Sequence, residues 1–197
     1  MRCGHPLRRS DCRWCGLLPP FVRAARSVAW AGEGTASGIV HALKYQGWSR
    51  VADGMAARMA RLDWPVDVQM ERTALVPVPL APVRLRERGF NQSALLAAAL
   101  ATHWQLPVWD DLLQRTRATS SQTRLTPGER LSNVSGAFSV TPRASTDALR
   151  GAHLVLVDDV VTTASTLVAC AAALHAGGAR IVSVVTFARA PAPGDRS

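Results

Sequence analysis

The sequence has no run of about 18 apolar residues, so nothing in it predicts a transmembrane helix. The N-terminal stretch, residues 1–15, is charged and polar and lacks the apolar core of a signal peptide. The two commonest nucleotide-binding patterns, GxxxxGK followed by Ser or Thr and GxGxxG, are absent, and so are internal repeats. We therefore expect a cytoplasmic protein whose thiols stay free or bind metal.

Lysine is almost absent as well. Of the 23 basic side chains, 22 are arginine, and Lys44 is the exception. With 14 acidic residues the net charge is +9, and the excess is concentrated in residues 1–30 and 80–130. Such a surface attracts the phosphates of nucleotides or nucleic acids. Two alternatives stay open, namely a generally solvated basic surface and an arginine content set by genomic base composition.

The 197 residues, 48% of them hydrophobic, suit one globular domain or one domain with a small appendage. Hydrophobic periodicity predicts strands and helices in alternation. The predicted strands are 27–31, 74–78, 112–117, 137–140, 153–157 and 180–187, and the predicted helices are 34–45, 51–62, 94–103, 127–134 and 165–176. Because the last strand-helix-strand unit implies a parallel crossover, the sequence predicts an α/β fold with a parallel sheet flanked by helices.

The chain outside these elements is predicted to be irregular. Residues 1–26 are rich in Arg, Cys and Pro, so we expect a knuckle and linker there, then a main domain of residues 27–189 and a frayed tail of 190–197. Residues 79–90 are predicted to be an extended loop that places Arg84, Arg86 and Arg88 on one side. Residues 141–152 are expected to form a second loop.

The strongest chemical signal follows the predicted strand 153–157. Four apolar residues are followed by Asp158 and Asp159, at the strand end where open α/β sheets bind ligands. A turn rich in hydroxyl side chains then leads into a helix, whose first N–H groups suit a phosphate. Its residues are Thr162, Thr163, Ala164, Ser165 and Thr166. The pattern predicts a site for a ribose and a phosphate, and the alternative is a plain strand end with solvated acids and a Ser/Thr helix cap.

Residues 155–166 resemble the phosphoribosyl pyrophosphate (PRPP) motif of type I phosphoribosyltransferases. Within that superfamily the chain is most similar to the ComF family, which includes competence proteins. Four further stretches carry the resemblance: His41-Ala42-Leu43-Lys44-Tyr45, Val76-Pro77-Val78-Pro79-Leu80, Arg84-Leu85-Arg86-Glu87-Arg88-Gly89-Phe90-Asn91-Gln92, and the series Gln122, Arg130, Asn133, Gly136-Ala137-Phe138. Together they cover about residues 28–189.

The resemblance implies a role for each part of the motif. Asp158 and Asp159 would contact the ribose hydroxyls, residues 162–166 would wrap the 5′-phosphate, and Mg²⁺ would bridge pyrophosphate and ribose. The implied reaction is displacement of pyrophosphate at the anomeric carbon by an acceptor, which makes the protein either a transferase or a binding protein that has lost turnover. Ala164 stands where the motif most often has Gly; if that position needs a positive φ, the alanine costs about 1 kcal/mol.

The basic residues of the motif have two interpretations each. Arg84, Arg86 and Arg88 are candidates for a pyrophosphate or nucleic-acid clamp, or they lie on a solvated loop with Glu87 as a local partner. Lys44 is a candidate PRPP contact, or it completes a helix end by interacting with the helix dipole. We expect Gln122, Arg130 and Asn133 to line a flexible cover.

The cysteines indicate a metal. Cys12 and Cys15 form a CxxC pair, and Cys3 resembles the second cysteine of a preceding pair in the zinc knuckle with which ComF proteins often begin. A fourth ligand is then either a residue before Met1, if the chain begins late, or His5. The alternatives are a vestigial N-terminus and a redox CxxC, whereas Cys170 is predicted to be a buried apolar residue.

Three functions remain open from the sequence. The chain is a transferase with an unidentified acceptor, a PRPP-binding protein of DNA uptake with a surface for single-stranded DNA, or a scaffold that keeps only the fold. Aromatic side chains near basic residues suit single-stranded DNA, and Trp14, Trp30 and Trp48 lie in or near the basic N-terminal part.

Overall fold

The computed structural model describes residues 2–4, 12–32, 34–45, 50–116, 136–142 and 146–191. Its main sheet contains four parallel strands in the order β1-β6-β5-β2, and a small antiparallel pair joins β3 to β4. The strands are β1 (Val22–Trp30), β2 (Arg72–Pro77), β3 (Leu113–Arg115), β4 (Phe138–Val140), β5 (His153–Val161) and β6 (Ile181–Arg189). The parallel sheet predicted from the sequence is confirmed.

Helices cover both faces of this sheet. They are α1 (Arg13–Leu17), α2 (Thr35–Tyr45), α3 (Val51–Ala60), α4 (Val66–Glu71), α5 (Pro82–Arg88), α6 (Gln92–Trp104), α7 (Thr146–Leu149) and α8 (Ser165–Ala176). None of these described helices is long and apolar enough to cross a membrane.

The unit β5-α8-β6 matches its prediction closely. Helix α8 spans the predicted residues, and both strands run further than predicted, with β5 continuing through the two acids to Val161. Side chains of a strand alternate between faces, so Leu154 and Leu156 join the core beneath α8, while Val155 and Val157 join the core beneath α3 and α6. Burial on both faces explains why β5 reads as a continuous apolar run.

The prediction of an extended loop over residues 79–90 is wrong. Helix α5 occupies residues 82–88, with Pro82 in its first turn, and Gly89 ends it in the left-handed conformation at φ 78°. The three arginines therefore do not lie on one side of an extended chain, as the sequence predicted. Residues two apart on a helix lie on different sides, whereas residues four apart share one, so Arg84 and Arg88 share a side that Arg86 does not.

The N-terminal residues are also more regular than predicted. Residues 13–17 form α1, and β1 begins at Val22 instead of 27, so residues 22–26 belong to the main sheet. Helices α4 and α7 were not expected, the latter within the predicted loop 141–152. The predicted helix 127–134, with Gln122, Arg130 and Asn133, lies outside the described residues.

Candidate phosphoribosyl-binding site

An open depression lies where β5 ends and α8 begins. It is lined by Asp158, Val160, Val161, Thr162, Thr163, Ala164, Ser165, Thr166 and Leu167. All five residues of the predicted phosphate turn are part of this lining, together with the first of the two predicted acids. The depression therefore combines a helix N-terminus, which favours anions, with a carboxylate and several hydroxyl groups, which favour a sugar.

Within the turn, the backbone of Ala164 has a strained conformation. This residue has φ 60° and ψ −3°, in the left-handed region, and precedes the first residue of α8. Its carbonyl accepts the hydrogen bond of the Val168 N–H at 2.8 Å, which starts the helix. Thr163 Oγ1 and Ser165 Oγ lie 3.0 Å apart across the turn. This position therefore has a positive φ, with an alanine where glycine would be unstrained.

Asp158 is buried but is held from one side. Ser93 Oγ donates a hydrogen bond to Asp158 Oδ1 at 2.7 Å, and the N–H of Asp159 donates to the same oxygen at 2.9 Å. Burial and then the neighbouring charge of Asp159 raise the pKa of Asp158 to about 7, against the opposing effects of the Ser93 hydrogen bond and the Lys44 charge. The site thus holds a carboxyl group near its titration midpoint at neutral pH.

Asp159 has different surroundings. Lys44 Nζ lies 2.6 Å from its Oδ2, and Gln92 Nε2 donates a longer hydrogen bond of 3.4 Å to its Oδ1. The Lys44 contact is an ion pair by distance, although no directional hydrogen bond reaches Oδ2 from the described residues. Only 3% of Asp159 is exposed, and this residue is not among those lining the depression.

A second set of contacts connects α2 to α6. The Arg88 guanidinium donates to Gln92 Oε1 at 3.1 Å and to the Tyr45 hydroxyl at 3.2 Å, and its carbon lies 4.9 Å from the centre of the Tyr45 ring. Lys44 therefore reaches Asp159 directly, while its neighbour Tyr45 reaches it through Arg88 and Gln92. The structure brings Lys44 and Arg88 towards the acids, whereas Arg84 pairs with Glu87 at 2.8 Å, and Arg84 and Arg86 are exposed.

Two residues that contact the acids, Gln92 and Ser93, were not recognised as site residues from the sequence. Both are buried and open helix α6, which Asn91 caps by accepting a hydrogen bond from the Ser93 N–H at 3.1 Å. The sequence predicted that this helix begins at residue 94. Two polar residues that start an otherwise apolar helix are the signal that could have identified them.

A separate group of thiols lies at the N-terminus. The sulfur atoms of Cys3, Cys12 and Cys15 lie within 4.8 Å of one another, and those of Cys3 and Cys12 are 3.3 Å apart. Burial alone would raise the pKa of Cys15, but hydrogen bonds from the Cys3 backbone and thiol lower it below its usual value. Three close thiols, one of them favouring the thiolate, fit a soft metal such as Zn²⁺. Cys170 is fully buried, as predicted, and His5 lies outside the described residues.

Comparison with known proteins identifies the fold family. Residues 91–197 match the family described as phosphoribosyl transferase domain. The chain is 36% identical over 195 residues to the DNA utilization protein YhgH of Salmonella typhi, covering 94% of this chain and 80% of that protein. It is also 34% identical over 117 residues to competence protein F of Haemophilus influenzae, covering 59% of this chain and 50% of that protein.

The chain is also similar to competence protein ComFC of Bacillus subtilis, with 36% identity over 116 residues, or 58% of this chain and 44% of that protein. The family match, which begins at Asn91, includes the strand, turn and helix that form the depression. The chain belongs to the phosphoribosyl transferase domain family, in the ComF branch that contains the YhgH, competence protein F and ComFC proteins.

Proposed function

We propose that this protein binds PRPP in the depression at the end of β5. One observation carries the proposal: a buried carboxyl group, Asp158, and a hydroxyl-rich turn at the N-terminus of a 12-residue helix line one depression. PRPP carries a 5′-phosphate and ribose hydroxyls on one ring, and these are the groups that such a lining can bind together. Membership of the phosphoribosyl transferase domain family supports the same ligand.

The 5′-phosphate would lie against residues 162–166. The backbone N–H groups of a helix's first turn and its positive dipole end favour an anion, and the side chains of Thr162, Thr163 and Ser165 add hydroxyl donors. Asp158 would accept hydrogen bonds from the ribose. Both described donors to Asp158 meet Oδ1, which leaves Oδ2 for the ligand.

Mg²⁺ fits this donor set, because a carboxylate oxygen at the edge of an open polar depression is a hard ligand of the kind that Mg²⁺ prefers. Asp158 would hold the ion, directly or through water. When bound, Mg²⁺ would neutralise charge on the pyrophosphate. For transfer to an acceptor, the chain's described residues would supply positioning and electrostatic stabilisation instead of a covalent step. Arg88, which lies against Gln92 and Tyr45, and the exposed Arg84 and Arg86 are the remaining candidates for the pyrophosphate.

The test is a calorimetric titration of PRPP with Mg²⁺ into the wild-type protein and two variants. Asp158→Asn keeps the shape of the side chain but removes its charge, so we expect at least a tenfold weaker affinity, about 1.4 kcal/mol. Asp147→Asn is the matched control, because Asp147 is exposed on α7, just before the opposite end of β5. Equal affinity of all three proteins, or no binding by the folded wild type, contradicts the proposal.

We further propose a role in DNA use in the cytoplasm, with single-stranded DNA as the partner; the relatives' names, with the words DNA utilization and competence, support the link to DNA. Exposed Arg84 and Arg86 supply charge, and Trp30 is 39% exposed with Arg189 4.5 Å over its ring. Trp14, in contrast, is buried, and Trp48 lies outside the described residues. Binding of an oligonucleotide should weaken steeply as salt rises, whereas PRPP binding should weaken much less. A flat salt response with the oligonucleotide argues against a phosphate-binding DNA surface.

A further inference from the structure

The two adjacent acids of β5 have surroundings that give them different roles. The family resemblance implies that both contact the ribose. We propose instead that Asp158 contacts the ligand, while Asp159 is a positioning residue that anchors Lys44, and with it the C-terminal end of α2, to the edge of the sheet. The proposal depends on the proposed function only for the identity of the ligand.

Both oxygens of Asp159 already face partners from the protein. Lys44 Nζ is 2.6 Å from Oδ2 and Gln92 Nε2 is 3.4 Å from Oδ1, and the residue is 3% exposed. A ribose hydroxyl at this carboxylate would have to compete with the lysine on Oδ2 and the Gln92 amide on Oδ1. Asp159 does not belong to the described lining of the depression, so Asp158 is the acid that faces a ligand seated there.

Asp158 shows the opposite arrangement. Its two described donors, Ser93 and the Asp159 N–H, converge on Oδ1, and the residue itself lines the depression. Because the Asp159 backbone supplies one of these donors, a shift of Asp159 would also change the hydrogen bonding of the Asp158 carboxyl. We therefore expect loss of the pair between Lys44 and Asp159 to weaken ligand binding through Asp158.

The anchor also organises α2. Lys44 is the last residue but one of that helix, and the final residue, Tyr45, is held by Arg88, which in turn donates to Gln92. Two links therefore join the end of α2 to the site, and they meet at Asp159 and Gln92. Removing one charge of a largely buried pair leaves the other unpaired, which costs far more than removing both together.

A double-mutant cycle on PRPP affinity with Mg²⁺ tests the proposal. The four proteins are wild type, Asp159→Asn, Lys44→Met and the double variant. We expect each single variant to weaken binding about tenfold, and the double variant to bind within about threefold of the weaker single variant, since the two side chains act through each other. Lys44→Arg retains the cation and should bind within about threefold of wild type.

A direct ribose contact by Asp159 gives a different result. Asp159→Asn would then weaken binding by the same factor whether or not Lys44 is present, and this additivity would overturn the anchor. If a single variant fails to fold while the double variant folds and binds PRPP, the result supports the anchor. Each of the two side chains is then needed only as the partner of the other.

The cycle is repeated on the free energy of unfolding in urea, without PRPP. If wild type fails to bind PRPP, the proposed function fails, and the unfolding cycle still decides whether Lys44 and Asp159 are coupled. Independent effects of the two substitutions on unfolding would overturn the anchor whatever the ligand is.

Discussion

The raised pKa of Asp158 predicts that replacing this residue stabilises the protein at alkaline pH. Burial and the charge of Asp159 raise the pKa of Asp158 to about 7, from 3.8 for a solvated carboxyl. This difference makes the ionised form about 4 kcal/mol less favourable in the folded state than in the unfolded chain. Asp158→Asn keeps an oxygen that can accept from Ser93 and the Asp159 N–H, but it cannot ionise.

The sign follows from proton binding. Below about pH 4 the carboxyl is protonated in both folded and unfolded chains, so Asp158 contributes no penalty there. As pH rises from about 4 to 7, the unfolded chain loses its proton first, and the penalty on the folded state grows until it is complete above 7. The variant should therefore gain stability relative to wild type over this range, by up to about 4 kcal/mol.

The assay is urea unfolding of both proteins between about pH 4.5 and 8.5, read as the difference between them. Taking the difference removes His153, whose pKa burial lowers to about 4, because its contribution is present in both proteins and falls as pH decreases. A constant offset across the pH range would refute the reasoning, because it would show that Asp158 titrates alike in the folded and unfolded chains. A difference that grows towards acid pH would contradict the sign.

Three more predictions follow from individual contacts. Ser93→Ala removes a donor to the ionised carboxylate, so it should raise the pKa of Asp158 further, and an unchanged midpoint in a carboxyl carbon NMR titration would count against the contact. Ala164→Gly should stabilise the protein by about 1 kcal/mol in urea unfolding, because φ is 60° there, and a loss of stability would contradict the strain. Zn²⁺ at about 100 times its Kd should stabilise wild type by about 2.7 kcal/mol, and Cys15→Ser should remove most of that gain; equal gains in both proteins would exclude the three thiols as its ligands.

The sequence predicted the parts of the fold whose signals are local. The apolar run before Asp158, the Ser165 start and the double glycine after Ala176 define β5 and α8 without reference to the rest of the chain. It failed for α5, since alternating arginines resemble an extended chain on charge alone, while Pro82 and Gly89 carried the helix signal. It also missed the early start of β1, because residues 22–26 are mostly small or basic, and pairing with β6 places them in the sheet.

In the candidate site, too, the residues with a local sequence signal were predicted and the others were not. Asp158 and the turn 162–166 are contiguous in sequence, so their pattern could be interpreted directly. Ser93 and Gln92 meet the acids across 65 and 67 residues, and Lys44 comes from a third segment. Such pairings depend on the order of strands in the sheet, which hydrophobic periodicity does not specify. The sequence likewise does not distinguish the surroundings of Asp158 from those of Asp159, because both residues are aspartate.

A crystal structure of the protein with PRPP and Mg²⁺ would decide whether the depression after β5 holds a phosphoribosyl group. We expect the 5′-phosphate against residues 162–166 and a ribose hydroxyl on Asp158, with Asp159 still paired to Lys44. A phosphate bound elsewhere in the chain would contradict the site, and a ribose hydroxyl on Asp159 with Lys44 displaced would contradict the division between the two acids.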